Sequence, residues 1–415
     1  MKKICSFVIV ALVMVGVVAP MSTHAQGDAT SHLGRKIIIW KQGTDEGNTH
    51  AFAEQHGKLL KHLSFAHASV VDVSSTADLQ ALTSFANVER IDDDPIATIT
   101  NGDERGEREG NYRTNTNINA TARSGAVVSV QAAQPTPWGI AAINAPQVWA
   151  SGNTADPIKV GVIDTGISLA HPDLKANIKG GINTINPRRS PDDDNGHGSH
   201  VAGIIAALNN TQGVVGGAPL ADLYAIKVLN SAGSGYYSDI IEGLQWAVVN
   251  HMQVVNMSLG GTADYQPLHD AIIAAKNAGV TIVAAAGNNG GAVIYPAAYP
   301  ETIAVSATDA SNTLASWSSR GPEVDLAAPG VNIYSTYKGT SYATLSGTSM
   351  AAPHVAASAA LVLGTPVGSS DTNGDGMWNP SEVLAKLEGT ATDLGASGFD
   401  TLFGFGLVNA FAATH

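Results

Sequence analysis

Hydrophobic positions along this chain form two patterns separated by a polar stretch. Between residues 35 and 100, short β-branched runs and helical periodicities alternate. The predicted strands are 36–40 and 68–73, the predicted helices are 51–63 and 78–86, and the predicted extended pieces are 88–91 and 96–100. Ser75 or Thr76 is a suitable cap for the second helix. We therefore predict a small α+β domain over residues 26–100.

The polar stretch covers residues 101–130 and is typical of a flexible linker, because it is rich in Asn, Gly, Glu, Arg and Thr and lacks apolar periodicity. From residue 131 to residue 415, β-branched runs alternate with Ala-rich helical stretches. The predicted strands there are 159–163, 224–228, 254–257, 281–285 and 302–305, and the predicted helices include 238–250 and 268–278. This alternation predicts an α/β domain with a largely parallel sheet and helices on both faces. Active sites of such folds lie at the carboxyl ends of the strands.

The first residues predict export. Lys2 and Lys3 precede an apolar run over 4–19, and small residues surround Ala25, which is typical of a secretory signal at 1–25. The alternative is an uncleaved anchor, but the run is short for spanning a bilayer. Cys5 is the only cysteine of the 415 residues, so its loss with the signal leaves no disulfide. We expect a secreted protein without stable membrane association.

Charge narrows the choice of partner. The formal net charge is -13, and the chain has no cluster of Lys and Arg. A nucleic-acid partner is therefore not expected, because its binding needs a cationic surface.

Three polar motifs stand at predicted strand or helix ends. Asp164 ends the apolar strand in VGVIDTG and precedes a glycine turn, His197 opens a helix in NGHGSH, and Ser349 opens another in SGTSMAAPH. Each motif alone is also compatible with a helix cap or a packing feature. The presence of all three in the order Asp, His, Ser makes coincidence improbable.

These motifs resemble the signature regions of the subtilases, the subtilisin-like serine peptidases, whose triad follows this same order. The resemblance extends from about residue 134 to the C-terminus. It implies that Asp164, His197 and Ser349 are the catalytic residues of an endopeptidase that hydrolyses polypeptides through an acyl-enzyme. It further implies that Asn288, in AAAGNNG, donates to the oxyanion. His200 lies one turn beyond His197, and we expect it to serve packing or hydrogen bonding.

The resemblance also implies a substrate groove that pairs with an extended peptide. Its two edges are predicted at Gly233 and Gly235 and at Ser258, Leu259 and Gly260. Ile294 stands where many subtilisins have glycine at the floor of the primary pocket, and the segment 290–295 is shortened. We therefore expect a preference for small or medium apolar side chains.

Calcium is the predicted cofactor, at two sites. Resemblance to the family's calcium loop implies oxygen ligands from Gln134, Asp173, Leu208, Asn210, Gln212 and Val214. Independently of any family, residues 371–382 fit the EF-hand template with ligands from Asp371, Asn373, Asp375, Met377 and Glu382. A polar loop and a surface turn are the respective alternatives. A weaker third site is suggested by resemblance at Glu323 and Asp325 with carbonyls near Ala297 and Tyr299.

The domain at 26–100 is similar to the inhibitory propeptides of subtilases, so the chain is expected to be a zymogen, a monomer with its own propeptide as intramolecular partner. The maturation bond lies near residue 100 or near residue 131, and the sequence leaves this open. Two other readings remain: a catalytically silent subtilase-like binding module, and a metallohydrolase using His197 and His200. Docking through the EF-hand loop is not expected, since only one such loop is present.

Overall fold

A computed structural model of the chain describes residues 33–99 and 134–415. The predicted signal at 1–25, the linker at 101–130 and residues 131–133 lie outside the described residues. The two described segments are called here the front unit (33–99) and the main unit (134–415).

The front unit is a four-stranded antiparallel sheet with order β2-β3-β1-β4, two helices, and a fifth strand that leaves the sheet. Ser75 caps α2, as predicted, by accepting a hydrogen bond from the backbone of Asp78. The elements are β1 (Gly34–Trp40), α1 (Glu46–Gln55), β2 (Lys58–Leu63), β3 (Ala68–Val73), α2 (Thr76–Ser84), β4 (Val88–Asp93) and β5 (Ile96–Ile99).

The helix predicted at 51–63 is wrong over its second half. Helix α1 ends at Gln55, and residues 58–63 form β2, which pairs antiparallel with β3. Gly57 permits this close approach, because a Cβ at that position would lie 2.5 Å from Val71 Cγ1 and 2.8 Å from the carbonyl oxygen of Asp72. Tertiary pairing with β3 thus overrides the local helical periodicity.

The two faces of the front sheet pack against different partners. Ile38, Trp40, Val71 and Val73 form a cluster with Ala53 and Leu82 of the unit's own helices. The alternate residues Ile37, Ile39, Leu63 and Val70 belong instead to a cluster that includes Ile240, Ile241 and Leu244 of the main unit. Strand alternation therefore gives this small sheet one face of its own and one face buried against the main unit.

The main unit has at its centre a seven-stranded, wholly parallel sheet with order β14-β13-β12-β10-β6-β8-β7. The strands of this sheet are β6 (Lys159–Asp164), β7 (Ile178–Asn183), β8 (Asp222–Lys227), β10 (Val254–Met257), β12 (Thr281–Ala285), β13 (Ile303–Thr308) and β14 (Leu326–Pro329). Shorter strands are β9 (Ser234–Tyr236), β11 (Leu259–Gly260), β15 (Ile333–Thr336) and β16 (Tyr342–Leu345). The predicted parallel sheet is confirmed.

Helices cover both faces of this sheet, as the predicted fold class requires. Val160 and Val162 of β6 pack in one cluster with α5 and α8, whereas Ile163 packs in the other with α6 and α7. The helices are α3 (Trp138–Ala142), α4 (Ala145–Ala150), α5 (His197–Ala206), α6 (Tyr237–Val249), α7 (Gln266–Asn277), α8 (Thr348–Leu363), α9 (Pro380–Gly389) and α10 (Ala410–Ala413). The polar motifs therefore converge where the parallel strands end.

None of the helices in the two described segments has the length and apolar character needed to cross a membrane.

Candidate active site

Asp164 and His197 form a buried hydrogen-bonded pair. Asp164 is the last residue of β6, and His197 is the first residue of α5. The ring Nδ1 of His197 lies 2.8 Å from Asp164 Oδ1 and 2.9 Å from Oδ2, and the backbone N–H of Thr165 donates to Oδ1 at 2.7 Å. A carboxylate at Nδ1 favours the tautomer with its proton there, which leaves Nε2 of a neutral imidazole as the proton acceptor.

Ser349 lies in the first turn of the buried helix α8, where backbone N–H groups and the positive end of the helix dipole favour a developing anion. Its Oγ is 3.3 Å from the carbonyl oxygen of Ser258, and the hydroxyl of Ser258 donates at 2.9 Å to the carbonyl of Ser349. Pro353 has no N–H to bond that carbonyl within the helix, so the Ser258 hydroxyl supplies the donor. The first turn of α8 is thereby fixed to the end of β10.

Asn288 follows β12 and is oriented by Thr348. Its Oδ1 accepts hydrogen bonds from both the backbone N–H and the hydroxyl of Thr348, each at 2.9 Å, while the Thr348 oxygen accepts from Gly287 N at 3.1 Å. Because Thr348 holds the acceptor end of the amide, the orientation of its NH₂ donor end is fixed as well. Thr348 was missed by sequence reasoning, although a hydroxyl residue directly before Ser349 was a usable signal.

The residues predicted to bind substrate hold β5 of the front unit. Strand β5 is the middle strand of an antiparallel three-stranded sheet, between β11 and β9. Leu259 and Gly260 pair with its residues on one side, and Gly235 pairs on the other. The N–H of Ile99 also donates to the carbonyl of Gly233 at 2.9 Å. These residues therefore pair with an extended segment of the front unit through backbone hydrogen bonds.

Ile294 packs close to this groove. A Cβ on Gly260 would lie 2.8 Å from its Cδ1, and a Cβ on Gly287 would lie 3.2 Å from its branched carbons. Ile294 is buried, and its neighbour Tyr295 forms an antiparallel bridge with Gly261. An isoleucine side chain thus fills space between the Gly260 and Gly287 segments.

The predicted calcium loop brings its oxygen atoms together. The carbonyl oxygens of Leu208, Gln212 and Val214 all face the side-chain amide of Gln134, at 3.0, 2.5 and 2.6 Å. Asn210 Nδ2 lies 3.0 Å from Asp173 Oδ1. Three carbonyls converging on one point, beside a buried carboxylate, are a donor set that fits a hard cation such as calcium.

The EF-hand-like loop is folded around its first carboxylate. Asp371 accepts from the backbone of Gly374 at 2.6 Å and of Gly376 at 3.0 Å. Asn373 accepts from Asp375 N, and Asp375 accepts from Met377 N. Glu382 instead accepts from Thr372 and completes a capping box with Asn379 at the start of α9. Cation binding at all template positions would require Glu382 to exchange these bonds.

The weaker third site has its predicted carbonyls bonded elsewhere. The hydroxyl of Thr302 donates towards Ala297 O and Tyr299 O, and Asp325 accepts from Ala304 N at 2.7 Å. Within 33–99 and 134–415, no group of three or more His, Cys, Asp or Glu side chains is placed to hold a metal.

His200 is turned away from the pair. Its Nε2 lies 3.0 Å from the carbonyl of Ile333 and 3.1 Å from that of Ala343, and burial lowers its pKa to about 3. It is therefore a neutral hydrogen-bonding residue, as predicted.

Comparisons with known proteins agree with this geometry. The model of the subtilase family matches residues 155–406. Subtilisin Savinase of Lederbergia lenta is 49% identical over 283 residues, covering 68% of this chain and 100% of the relative. An alkaline protease of Shouchella clausii is 49% identical over 283 residues, covering 68% of this chain and 70% of the relative. Subtilisin E of Bacillus subtilis (strain 168) is 38% identical over 423 residues, covering 99% of each chain.

Proposed function

Since this chain belongs to the subtilase family and is a subtilisin-like serine endopeptidase, we propose that Asp164, His197 and Ser349 are its catalytic triad. The observation that supports this most is the buried pair of Asp164 with His197 Nδ1 at 2.8 Å, at the same sheet edge as Ser349.

Peptide hydrolysis then proceeds in two halves. Ser349 Oγ attacks the scissile carbonyl as its proton passes to His197 Nε2, and the same proton is given to the departing amine. Water, deprotonated by His197, attacks the acyl-enzyme, and the proton returns to Ser349 as the acid leaves. Asp164 stabilises the imidazolium that forms in each half.

Asn288 donates its amide to the oxyanion of both tetrahedral intermediates. Its orientation by Thr348 supports this role, because the donor end is set before substrate binds. For subtilisin itself the loss of this donor costs about 10²–10³ in kcat, and the same fall is expected for Asn288→Ala.

The chain is made as a secreted zymogen, with a signal at 1–25, an inhibitory propeptide at 26–100 and a linker at 101–130. Occupation of the groove by β5 supports an inhibitory front unit. Ile99 pairs with Leu259, and the residue directly before Leu259 is Ser258, which lies between β10 and β11 and has its carbonyl 3.3 Å from Ser349 Oγ. This register favours a first cut within one or two residues of Ile99 over one near residue 131, and N-terminal sequencing of the secreted protein tests it.

The primary pocket accepts small or medium apolar side chains, because Ile294 fills space at its floor. A peptide panel that differs only in the residue before the scissile bond tests this preference. A strong preference for Phe or Tyr would contradict it.

Two calcium ions replace disulfides as cross-links of the secreted enzyme. One is held by Gln134, Asp173, Asn210 and the carbonyls of Leu208, Gln212 and Val214, and the other by residues 371–382. Calcium supplies charge that fixes these loops and takes no part in bond cleavage. Calorimetry with calcium should lose one binding event in Asp173→Asn and the other in Asp371→Asn, each against the control Asp270→Asn, a half-buried helix residue whose carboxylate accepts from Gln266.

Ser349→Ala tests the assignment of the nucleophile. The variant is expected to be secreted as the unprocessed chain and to leave casein intact, since no other group can form the acyl-enzyme. Ser358→Ala is the matched control, because Ser358 lies in the same buried helix and donates only to His354 O. Normal processing and caseinolysis by the Ser349 variant would overturn the proposal and favour a metal-dependent hydrolase. An inactive parent enzyme would favour the silent binding module.

A further inference from the structure

We propose that Asp193 is a positioning residue for the active site, holding the helix that carries His197 against the strand that carries Asp164. The proposal rests on the catalytic roles proposed above for these two residues. Asp193 lies four residues before His197, in the loop that enters α5, and it is 5% exposed.

Five donors converge on this one carboxylate. Oδ1 accepts from the hydroxyl of Thr165 and from the backbone of Asn195 and Gly196, each at 2.9 Å. Oδ2 accepts from the backbone of Ser199 at 3.0 Å and from its hydroxyl at 2.6 Å. No salt bridge to Asp193 occurs within 33–99 and 134–415, so neutral hydrogen bonds stabilise its charge there.

Helix α5 depends on these bonds because its own N-cap residue has no side chain. The N-cap is Gly196, which has a left-handed φ of 120°, and a Cβ there would lie 2.4 Å from the ring of Tyr337. Asp193 therefore takes over the capping of the Ser199 N–H, a donor in the first turn that has no intrahelical partner.

Thr165 connects this cap to the carboxylate partner of His197. Its hydroxyl donates to Asp193 and accepts at 2.9 Å from Gly198 N, in the first turn of α5. Its backbone N–H donates to Asp164 Oδ1. A Cβ on Gly198 would lie 2.1 Å from Gly166 O, so the helix and the strand end are in close contact here. Asp193 and Thr165 thus fix the relative placement of the two elements whose side chains meet at 2.8 Å.

An amide cannot replace this carboxylate. Either oxygen of Asp193 faces at least one backbone N–H, from Asn195 and Gly196 on one side and from Ser199 on the other. The NH₂ group of an asparagine would therefore oppose a donor in either orientation, leaving a buried N–H unsatisfied. The entry to α5 would shift, and displacements of about 1 Å in reacting groups can cost about 10²-fold in rate.

The test compares kcat and KM of Asp193→Asn on a peptide substrate, after processing of every variant by tagged parent enzyme that is then removed. We expect kcat to fall about 10²-fold with KM unchanged within about twofold, because the groove at β9 and β11 is not touched. Asp192→Asn is the control, since Asp192 is exposed and accepts only from Leu169 N. Its kcat should equal that of the parent.

Repeating the substitution in a chain that already carries His197→Ala distinguishes a positioning role of Asp193 from a general loss of structure. If Asp193 acts through His197, then adding Asp193→Asn to His197→Ala should leave the residual rate unchanged. The downfield proton resonance of the His197–Asp164 hydrogen bond should also shift or vanish in Asp193→Asn alone. If Asp193→Asn does not fold, Thr165→Val removes the connecting hydroxyl, and its kcat should fall at least about tenfold.

A kcat within about threefold of the parent in the folded variants would overturn the positioning role, as would an equal loss in the His197→Ala background. A parent-like rate in His197→Ala itself would instead overturn the proposed function.

Discussion

The front unit and the main unit bury their hydrophobic residues in different ways. The front unit has a cluster of its own, formed by Ile38, Trp40, Ala53, Val71, Val73 and Leu82. The other face of its sheet is buried only against the main unit. The main unit fills both faces of its parallel sheet from within its own residues, largely with Ala, Val and Ile. The main unit thus has a complete hydrophobic core of its own, whereas the core of the front unit is completed by contact with the main unit.

Charged groups show the same contrast. Lys61 of the front unit lies between Asp239 and Glu242 of α6, and Arg35 lies near Asp94 and Ser238. The interior of the main unit instead contains two fully buried histidines, His200 and His354, that have no salt bridge among the described residues. The front unit is therefore sensitive to loss of an interface charge, and the main unit is sensitive to protonation of its core.

The largest predicted effect concerns this protonation. Burial lowers the pKa of His200 to about 3 and that of His354 to about 4, from a usual 6.5. Since the unfolded chain takes up these protons and the folded chain does not, stability is fully present above pH 6.5 and is lost as pH falls towards 4. Two such groups give a slope of about 2.7 kcal/mol per pH unit. Guanidinium unfolding at a series of pH values measures this slope, in the Ser349→Ala chain because that chain cannot digest itself.

His354→Asn should reduce this slope by about 1.4 kcal/mol per pH unit, because one proton fewer is taken up. The asparagine can still donate to Met350 O, as the imidazole Nδ1 does at 2.8 Å. His251→Asn is the control at an exposed position with positive φ, which asparagine tolerates. An unchanged slope in His354→Asn would show that these core histidines do not govern acid stability.

The second prediction concerns the interface charge. Lys61 is mostly buried, and its Nζ lies 2.9 Å from Asp239 Oδ1, so Lys61→Met leaves Asp239 in the interface with only the more distant Arg35, at 3.9 Å, as a cation. We expect the processed front unit to dissociate from the main unit roughly 10–100-fold more readily, measured as the activity that appears on dilution. The control is Lys58→Met on the same strand, where the side chain is exposed. If the parent front unit and the Lys61→Met front unit inhibit the main unit equally, the strand pairing of β5 alone accounts for the binding.

The sequence predicted the main unit well because its signals are local. A β-branched strand that ends in Asp164 or precedes Asn288 identifies the sheet edge without knowledge of the rest of the fold. The features that the sequence did not predict are contacts between segments far apart in the chain. Residues 58–63 become a strand only because β3 lies beside them, and Asp193 is linked to the strand end that carries Asp164 only when Thr165 folds against it. No periodicity records such contacts.

The smallest predicted effect is a pH dependence of the contact between the units. Asp94 accepts from Ser238 N at 3.0 Å and from its hydroxyl at 2.7 Å, and Arg35 donates to it at 2.8 Å. Burial outweighs these bonds and raises the pKa of Asp94 above its usual 3.8. The bound front unit therefore holds this proton more tightly than the released one, so binding is strongest below pH 3.8 and weakens as pH rises through the raised pKa.

Dissociation measured on dilution from pH 4 upward should increase a few-fold in the parent, whereas Asp94→Asn, which cannot titrate, should lack this increase. The Asp45→Asn control, at the exposed N-cap of α1, should keep it. The same increase in Asp94→Asn would assign the pH dependence to another group and leave the interface charges of Arg35 and Lys61 as the main electrostatic difference between the two units.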